Sequence, residues 1–185
     1  PKGIPGMVGY GRQGVASATV GSKPVITGDE DENGVEMADA PRSVLVTGAN
    51  RGIGQAIAER FVASGDRVAS LDMGGEAPAG VLGVSGDVTR TEDVDAAFAA
   101  VEAAHGPVEV LIANAGITRD QLLIRMTDEE FERVIDINLT GAFRCVRRAA
   151  TGMIRMRRGR IVLISSVVAL YGGQGQVNYS ASKSG

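Results

Sequence analysis

The chain has 185 residues, of which 44% are hydrophobic, and its formal net charge at pH 7 is −3. This length and apolar content allow one hydrophobic core rather than two complete domains, and the slightly acidic balance argues against a nucleic-acid binder. The single cysteine, Cys145, excludes a disulfide within the chain, and no apolar run approaches the roughly 20 residues of a membrane span, so a cytoplasmic protein without a membrane partner is expected.

Residues 1–40 differ in composition from the remainder of the chain. Glycine recurs there without a regular period, and residues 29–32 are a run of acids. Such a segment lacks the apolar surface that it would need to order itself. We therefore expect a disordered tail at 1–40 and one folded domain at 41–185, with Met37 as a candidate native start.

The stretch Val44–Gly54 predicts a strand, a glycine turn and the start of a helix. The apolar run 44–46 leads into Thr47 and glycines at 48, 52 and 54. Apolar residues then recur at helical spacing, namely Ile53, Ile57 and Phe61. The glycines permit a tight turn, close approach of a ligand and close packing of the helix on the strand. The free N–H groups of the first helical turn then face an anion, most often a pyrophosphate.

Strands and helices alternate along the remainder of the chain. Further strands are predicted at Arg67–Asp72, Val81–Ser85, Val108–Ala113 and Arg160–Ser165. Helices are predicted to begin at Thr91 and at Thr127, where Thr127–Glu130 is a capping box whose helix runs towards Arg155. This order predicts an α/β fold, a Rossmann-like doubly wound parallel sheet with helices on both faces and with ligands at the carboxyl ends of the strands.

Two residues near the predicted nucleotide site favour different dinucleotides. Asp72 ends the second strand, where a carboxylate hydrogen-bonds the adenosine ribose and repels the 2′-phosphate of NADP, so it favours NAD. Arg51 lies in the glycine loop, where a guanidinium pairs with a 2′-phosphate. The sequence leaves this choice open.

The long helix predicted from Thr127 carries a polar residue on its apolar stripe. The predicted stripe consists of Phe131, Val134, Ile135, Ala142, Cys145, Ala149 and Met153. Asn138 falls on the same face, and a buried amide must find hydrogen-bond partners or cost on the order of 1–3 kcal/mol. Asn138 is therefore either a satisfied core residue or a residue with a polar function.

Tyr179 and Lys183 lie four residues apart, which places them on one face of a helix. A free phenol has a pKa near 10, and an adjacent ammonium favours its phenolate. Such a pair supplies a general acid for carbonyl reduction or a general base for alcohol oxidation.

The motifs occur in an order that resembles the short-chain dehydrogenase/reductase family. These are Thr47-Gly-x-x-x-Gly-x-Gly54, Asn114-Ala-Gly116, Asn138, Ser166, Tyr179 and Lys183. The resemblance implies that Ser166 orients a substrate carbonyl, that Tyr179 protonates its oxygen, that Lys183 tunes Tyr179 and holds the nicotinamide ribose, and that Asn138 anchors a proton-relay water. It also implies a set of cofactor-contacting residues, namely Gly48, Asn50, Arg51, Gly52, Ile53, Gly54, Asp72, Asp87, Val88, Asn114, Ala115, Gly116, Tyr179 and Lys183; no metal site is expected.

Within that family the sequence looks most similar to the 3-oxoacyl-[acyl-carrier-protein] reductases of mycobacteria. The similar segments are Asn50–Gly54, Gly116–Asp120, Arg125–Thr127, Asn138–Arg144 and Gly175–Tyr179. This resemblance implies reduction of a 3-oxoacyl thioester in fatty-acid biosynthesis, with NADPH as cofactor, or NADH because of Asp72, and a homotetramer. A related dehydrogenase acting on a CoA thioester, a sugar or another alcohol is the alternative, and an inactive nucleotide-binding fragment is a further one.

After Asp136 the chain carries no acid and eight cationic residues. Such a surface attracts an acidic partner, so the segment 155–160 is the predicted docking site for an acyl carrier protein, with a solvated face or an oligomer contact as the alternatives. Because the chain ends two residues after Lys183, the later strands of the sheet are expected to be missing, and the 185-residue piece is expected to be inactive alone.

Overall fold

The computed structural model describes residues 40–185, so the predicted disordered tail lies outside the described residues apart from Ala40. Within them, five strands form one parallel sheet in the order β3-β2-β1-β4-β5. The strands are β1 (Ser43–Thr47), β2 (Arg67–Asp72), β3 (Val81–Ser85), β4 (Val110–Ala113) and β5 (Arg160–Leu163). This topology confirms the predicted Rossmann-like α/β fold.

Six α-helices follow or connect these strands in the described part of the chain. They are α1 (Gly52–Ala63), α2 (Thr91–His105), α3 (Asp128–Ile135), α4 (Gly141–Met156), α5 (Val168–Tyr171) and α6 (Val177–Ser184). A 3₁₀ turn at Leu123–Arg125 precedes α3, and a π-helical segment at Asp136–Thr140 joins α3 to α4. None of the helices within residues 40–185 is both long and apolar enough to cross a membrane.

Alternation along β1 sends side chains to two separate apolar layers. Val44 and Val46 pack with α1 on one face of the sheet, around Ala58 and the half-buried Phe61. Leu45 faces the opposite layer, in which Phe98 of α2 and residues of α4 are buried. Because successive side chains of a strand point to opposite faces, one short strand supports helices on both sides of the sheet.

The segment from residue 127 to residue 156 corrects the predicted apolar stripe. The predicted capping box is present, since Thr127 Oγ1 accepts from the Glu130 N–H at 3.2 Å and Glu130 Oε2 accepts from the Thr127 N–H at 3.1 Å. The π-helical turn then inserts one extra residue and changes the face that points inward. Phe131 is consequently exposed, whereas Ile137 and Gly141 are buried in place of Ile135 and Ala142.

Three further details differ from the sequence-based expectations. Ile53 does not join the apolar face of α1, because its side chain is 68% exposed. β4 begins at Val110, two residues after the predicted start, and β5 ends at Leu163, two residues before the predicted end. β5 is an edge strand and all four of its residues are exposed.

Candidate active site

The turn between β1 and α1 depends on two glycines for different reasons. Gly48 has a φ of +67°, a left-handed conformation that L-residues with a side chain rarely adopt. Gly54 has no space for a side chain, because an added Cβ would collide with the carbonyl of Gly48 and lie 2.5 Å from Nδ2 of Asn114. The absence of a side chain at Gly54 therefore lets the first turn of α1 pack directly against the glycine turn and Asn114, at the helix N-terminus where an anion can bind.

Thr47 and Asn114 join the carboxyl ends of β1 and β4. Thr47 Oγ1 accepts from the N–H groups of Asn114 and Ala115 at 3.0 and 2.9 Å. In return, Asn114 Nδ2 donates to the carbonyls of Thr47 and Gly48, both at 3.0 Å. Both amide hydrogens of Asn114 are therefore used in hydrogen bonds to the glycine turn, and these bonds hold the turn against the end of β4.

The end of β5 is tied to the helix that carries the predicted catalytic pair. Lys183 Nζ donates to the Ile164 carbonyl at 2.7 Å, and Ser165 Oγ donates to the Lys183 carbonyl at 2.8 Å. Lys183 Nζ lies 6.0 Å from the centroid of the Tyr179 ring. Partial burial lowers the pKa of Lys183, because desolvation disfavours the ammonium.

Ser166 begins the segment that leads into α5, and its Oγ accepts from the Val168 N–H at 3.3 Å. This contact uses an acceptor site of the hydroxyl and leaves its hydrogen available to a ligand. Ser166 is half-buried, whereas the preceding Ser165 is exposed and bonds to α6. The two adjacent serines therefore make different contacts, and only Ser165 has its hydroxyl hydrogen committed to the protein.

Asn138 lies in the π-helical segment and is 5% exposed. Its Oδ1 accepts from the Ile117 N–H at 2.8 Å, and its Nδ2 donates to the Ile117 carbonyl and to Ser182 Oγ, both at 3.0 Å. Both amide hydrogens are thereby used within the protein, so only a lone pair on Oδ1 remains for a water molecule.

One cavity of about 820 Å³ brings most of the predicted site residues together. The predicted residues that line it are Gly48, Arg51, Gly52, Ile53, Gly54, Asp72, Asp87, Val88, Asn114, Ala115, Gly116, Ser166, Tyr179 and Lys183. Asn138 and Asn50 do not line it. This volume lies within the range of about 300–1,000 Å³ that is common for ligand and cofactor sites.

Several residues around this cavity are absent from the sequence-based set. Further lining residues are Leu71, Met73, Gly86, Ile117, Thr118, Ile137, Ile164 and Ser165. Most of them lie next to the carboxyl end of a predicted strand. They could therefore be predicted from the rule that ligands bind at the carboxyl ends of parallel strands. Two buried polar residues are also absent from that set: Asn178, which immediately precedes Tyr179, and Ser182, which lies between Tyr179 and Lys183.

Comparison with known proteins identifies the family. Residues 42–185 match the family model described as short chain dehydrogenase. The chain belongs to the short-chain dehydrogenase family. The glycine turn, the Asn114 contacts and the Tyr179–Lys183 pair all fall within the part of the chain that matches this family.

Similar short-chain dehydrogenases include enzymes from several bacteria. The chain is 50% identical over 170 residues to the 3-oxoacyl-[acyl-carrier-protein] reductase MabA of Mycobacterium tuberculosis, which covers 92% of this chain and 64% of that protein. It is 55% identical over 144 residues to MabA of Mycobacterium avium, covering 78% of this chain and 56% of that protein. It is 43% identical over 149 residues to the reductase FabG of Escherichia coli, covering 76% and 61% respectively. The chain thus spans less than two thirds of each of these relatives.

Proposed function

We propose that the protein reduces a 3-oxoacyl thioester to its 3-hydroxyacyl form, using a nicotinamide dinucleotide. The observation that carries this proposal is that Ser166, Tyr179 and Lys183 line the same cavity as the glycine turn. The similar proteins named 3-oxoacyl-[acyl-carrier-protein] reductase support this substrate class, and fatty-acid biosynthesis in the cytoplasm is the corresponding setting.

The residues around the cavity fit a dinucleotide. The glycine turn at the start of α1 suits the pyrophosphate, and Asp72, which ends β2 and lines the same cavity, suits the adenosine ribose hydroxyls. Asp87, Val88 and Lys183 line the same cavity, and we assign the first two to the adenine and Lys183 to the nicotinamide ribose. A bound reduced nicotinamide supplies the hydride that reaches the substrate carbonyl carbon.

Two side chains of the protein act on the carbonyl oxygen of the substrate. The Tyr179 hydroxyl donates the proton to that oxygen, and the Ser166 hydroxyl donates a hydrogen bond that orients it. The Lys183 ammonium donates one N–H to the Ile164 carbonyl and makes no other hydrogen bond within residues 40–185, so two of its donors remain for ribose hydroxyls. Asn138 holds the backbone at Ile117 and, through Oδ1, retains capacity for a water.

Replacing Tyr179 by phenylalanine in the full-length protein tests this assignment. Because the proton donor is removed, kcat for an acetoacetyl thioester should fall about 10²- to 10⁴-fold, followed as oxidation of the reduced cofactor. Tyr171→Phe is the matched control, since Tyr171 is 83% exposed and does not line the cavity. If Tyr179→Phe retains the wild-type kcat, the proposed mechanism is wrong.

The choice of dinucleotide rests on the two opposing residues that the cavity contains. The resemblance to the reductases favours NADPH, and the exposed Arg51 forms no ion pair within residues 40–185, so it is available to a 2′-phosphate. Asp72 and the neighbouring Met73 favour NADH, because a carboxylate repels that phosphate and a thioether offers it no charge. Comparing turnover with NADH and NADPH on one thioester distinguishes the two.

The cationic segment near the end of α4 is the proposed docking site for an acyl carrier protein. Acids from other elements neutralise much of the cationic run, since Arg144 pairs with Asp136, Arg148 with Glu102 and Arg158 with Glu109. Arg155, Arg157 and Arg160 form no ion pair with the described residues, which supports docking at this end. Arg155→Glu combined with Arg157→Glu should raise KM for a carrier-linked substrate and leave KM for a small thioester unchanged.

A homotetramer is the proposed assembly of the full-length protein. The face of α3 and α4 that does not pack on the sheet carries Phe131, Phe143 and Ile154, which are 37%, 56% and 75% exposed. Exposed apolar residues along a long helix are typical of an oligomer contact. Sedimentation of the full-length protein tests this assembly, and a monomer would contradict it.

A further inference from the structure

We propose that Asn50 is a positioning residue that sets the relative affinity for NADH and NADPH by holding Asp72 in place. This inference rests on the proposed binding of a dinucleotide in the cavity. It assigns to Asn50 a role other than direct contact with the cofactor, because Asn50 does not line the cavity, whereas Arg51 and Asp72 do.

Asn50 joins the glycine turn to the end of β2 and the turn that follows. Its backbone N–H donates to Asp72 Oδ2 at 3.2 Å. Its side-chain Nδ2 donates to the carbonyls of Gly74 and Gly75 at 2.9 and 3.0 Å. Its Oδ1 accepts from the hydroxyl of Ser70 at 2.7 Å. A single residue thus binds four residues of segment 70–75, and both of its amide hydrogens are committed there.

Ser70 anchors this arrangement in the sheet. Ser70 belongs to β2 and is fully buried, so water cannot replace Asn50 as the hydrogen-bond partner of its hydroxyl. A buried hydroxyl that lost this partner would remain unsatisfied, which makes the contact costly to break. The position of Asn50, and therefore of its N–H, is consequently fixed relative to the strand that ends in Asp72.

The hydrogen bond from Asn50 to Asp72 determines which group faces the adenosine ribose of the cofactor. With Oδ2 held by the Asn50 N–H, the carboxylate of Asp72 is fixed at the cavity wall, where it accepts hydrogen bonds from ribose hydroxyls and repels a 2′-phosphate. Residues 73–76 are all exposed, and the Asn50 side chain is what ties Gly74 and Gly75 to the glycine turn. Without that side chain, segment 72–76 can move away, and the adjacent Arg51 can pair with the phosphate.

The test measures the dissociation constants of NADH and NADPH by fluorescence titration for the wild-type protein and for Asn50→Ala. We expect the ratio of Kd for NADH to Kd for NADPH to rise by about fivefold or more, because the loss falls on the ribose contact that NADH uses. Ser70→Ala should shift the ratio in the same direction by a smaller factor. Gln55→Ala is the matched control, since the side-chain amide of Gln55 donates to Glu59 on the exposed side of α1, and the variant should leave the ratio unchanged.

The outcomes separate this inference from the proposed function. If both affinities fall by the same factor in Asn50→Ala and Ser70→Ala, Asn50 has only a structural role and the inference is overturned. If the wild-type protein binds neither dinucleotide, the proposed function itself fails. Should Asn50→Ala not fold, the ratio in Ser70→Ala decides, because this variant leaves Asn50 itself unaltered and removes only the hydrogen bond that anchors its side chain to β2.

Discussion

The side-chain amide of Asn138 donates a hydrogen bond of 3.0 Å to the hydroxyl of Ser182, and this bond joins the π-helical segment to α6. Ser182 in turn donates to the carbonyl of Tyr179 at 2.8 Å. Asn138 and Ser182 are 5% and 3% exposed, so water does not replace these bonds readily. The chain of contacts connects the backbone at Ile117, through two buried side chains, to the helix that carries Tyr179 and Lys183.

Replacing Ser182 by alanine should therefore destabilise the folded protein. The change leaves an amide hydrogen of Asn138 buried without a partner, which lowers the free energy of unfolding by about 1–3 kcal/mol. Urea-induced unfolding followed by circular dichroism measures this loss. Ser184→Ala is the control, because the Ser184 hydroxyl lies on the exposed side of the same helix and water replaces its bonds. Equal losses in the two variants would show that the Asn138–Ser182 bond is not the cause.

Asn178 anchors the start of α6 and is fully buried. Its Nδ2 donates to the carbonyls of Arg119 and Glu130 at 2.9 and 3.3 Å. Asn178→Asp removes both donors and directs a carboxylate at two carbonyl oxygens, so at pH 7 the free energy of unfolding should fall by about 2 kcal/mol or more.

The effect of Asn178→Asp should depend on pH. Burial raises the pKa of the introduced carboxyl above its unfolded value of about 3.9, so the protonated folded form is favoured at low pH and its stability is lost as pH rises. Unfolding at pH 4 and pH 7 should thus show a smaller loss at pH 4. Gln174→Glu changes an exposed amide close to the same junction and serves as control. A loss that is the same at both pH values would contradict this account.

Much of the fold follows from local patterns in the sequence. The predicted bounds of β2 and β3 agree with the structure, because each strand is a short apolar run between turn residues. The predicted capping box at Thr127 is confirmed, and it too depends only on residues that are close in sequence. Most of the predicted site residues lie together because parallel strands share one carboxyl edge, a consequence of topology that the order of strands and helices already implies.

Other features depend on contacts that no local pattern contains. The π-helical turn at residues 136–140 moves Ile137 and Gly141 inward, and a periodicity of 3.6 residues cannot anticipate an inserted residue. The cationic run after Asp136 is partly neutralised by acids that are distant in sequence, such as Glu102 of α2 opposite Arg148. The Asn50 contacts with segment 70–75 likewise arise only when the glycine turn meets the end of β2.

The ion pair between Arg42 and Asp66 should make stability depend on acid pH. Arg42 donates to both carboxylate oxygens, at 3.0 and 2.7 Å, and these side-chain hydrogen bonds hold the pKa of Asp66 below its ordinary value of 3.8. The resulting stability is present above the unfolded-state pKa and is lost as pH falls through the lower folded-state pKa.

Asp66→Asn tests this dependence. It should lower the free energy of unfolding at pH 7 by about 1–2 kcal/mol, a modest effect because Arg42 is partly exposed. The difference from wild type should shrink as the pH is lowered below 3.8. Glu59→Gln alters an exposed carboxylate on α1 and should show neither effect. A difference that persists unchanged at low pH would mean that charge at Asp66 is not involved.

The thiol of Cys145 should be unreactive while the protein is folded. Cys145 is 1% exposed, and burial raises its pKa from 9.0 to about 12, so almost no thiolate exists at pH 8. Modification by an aromatic disulfide reagent should then be at least about a hundredfold slower than in denaturant. Thr151→Cys places a second thiol at an exposed position of the same helix and should react rapidly. Fast modification of wild-type Cys145 in the native state would contradict its placement in the core.

Substitution of Gly54 by alanine should disrupt the nucleotide site. The added methyl group would overlap the Gly48 carbonyl and crowd Asn114 Nδ2, both of which belong to the turn that presents the backbone amides. The turn can accommodate it only by moving away from β4, so the affinity for either dinucleotide should fall by at least about tenfold. Titration calorimetry with NADH and NADPH measures the loss. Gly152→Ala adds the same methyl group within α4, where the nearest atom lies 4.0 Å away, and should leave both affinities unchanged. Wild-type affinity in Gly54→Ala would contradict binding of the pyrophosphate at this turn, because the methyl group does not fit beside the Gly48 carbonyl unless the turn moves.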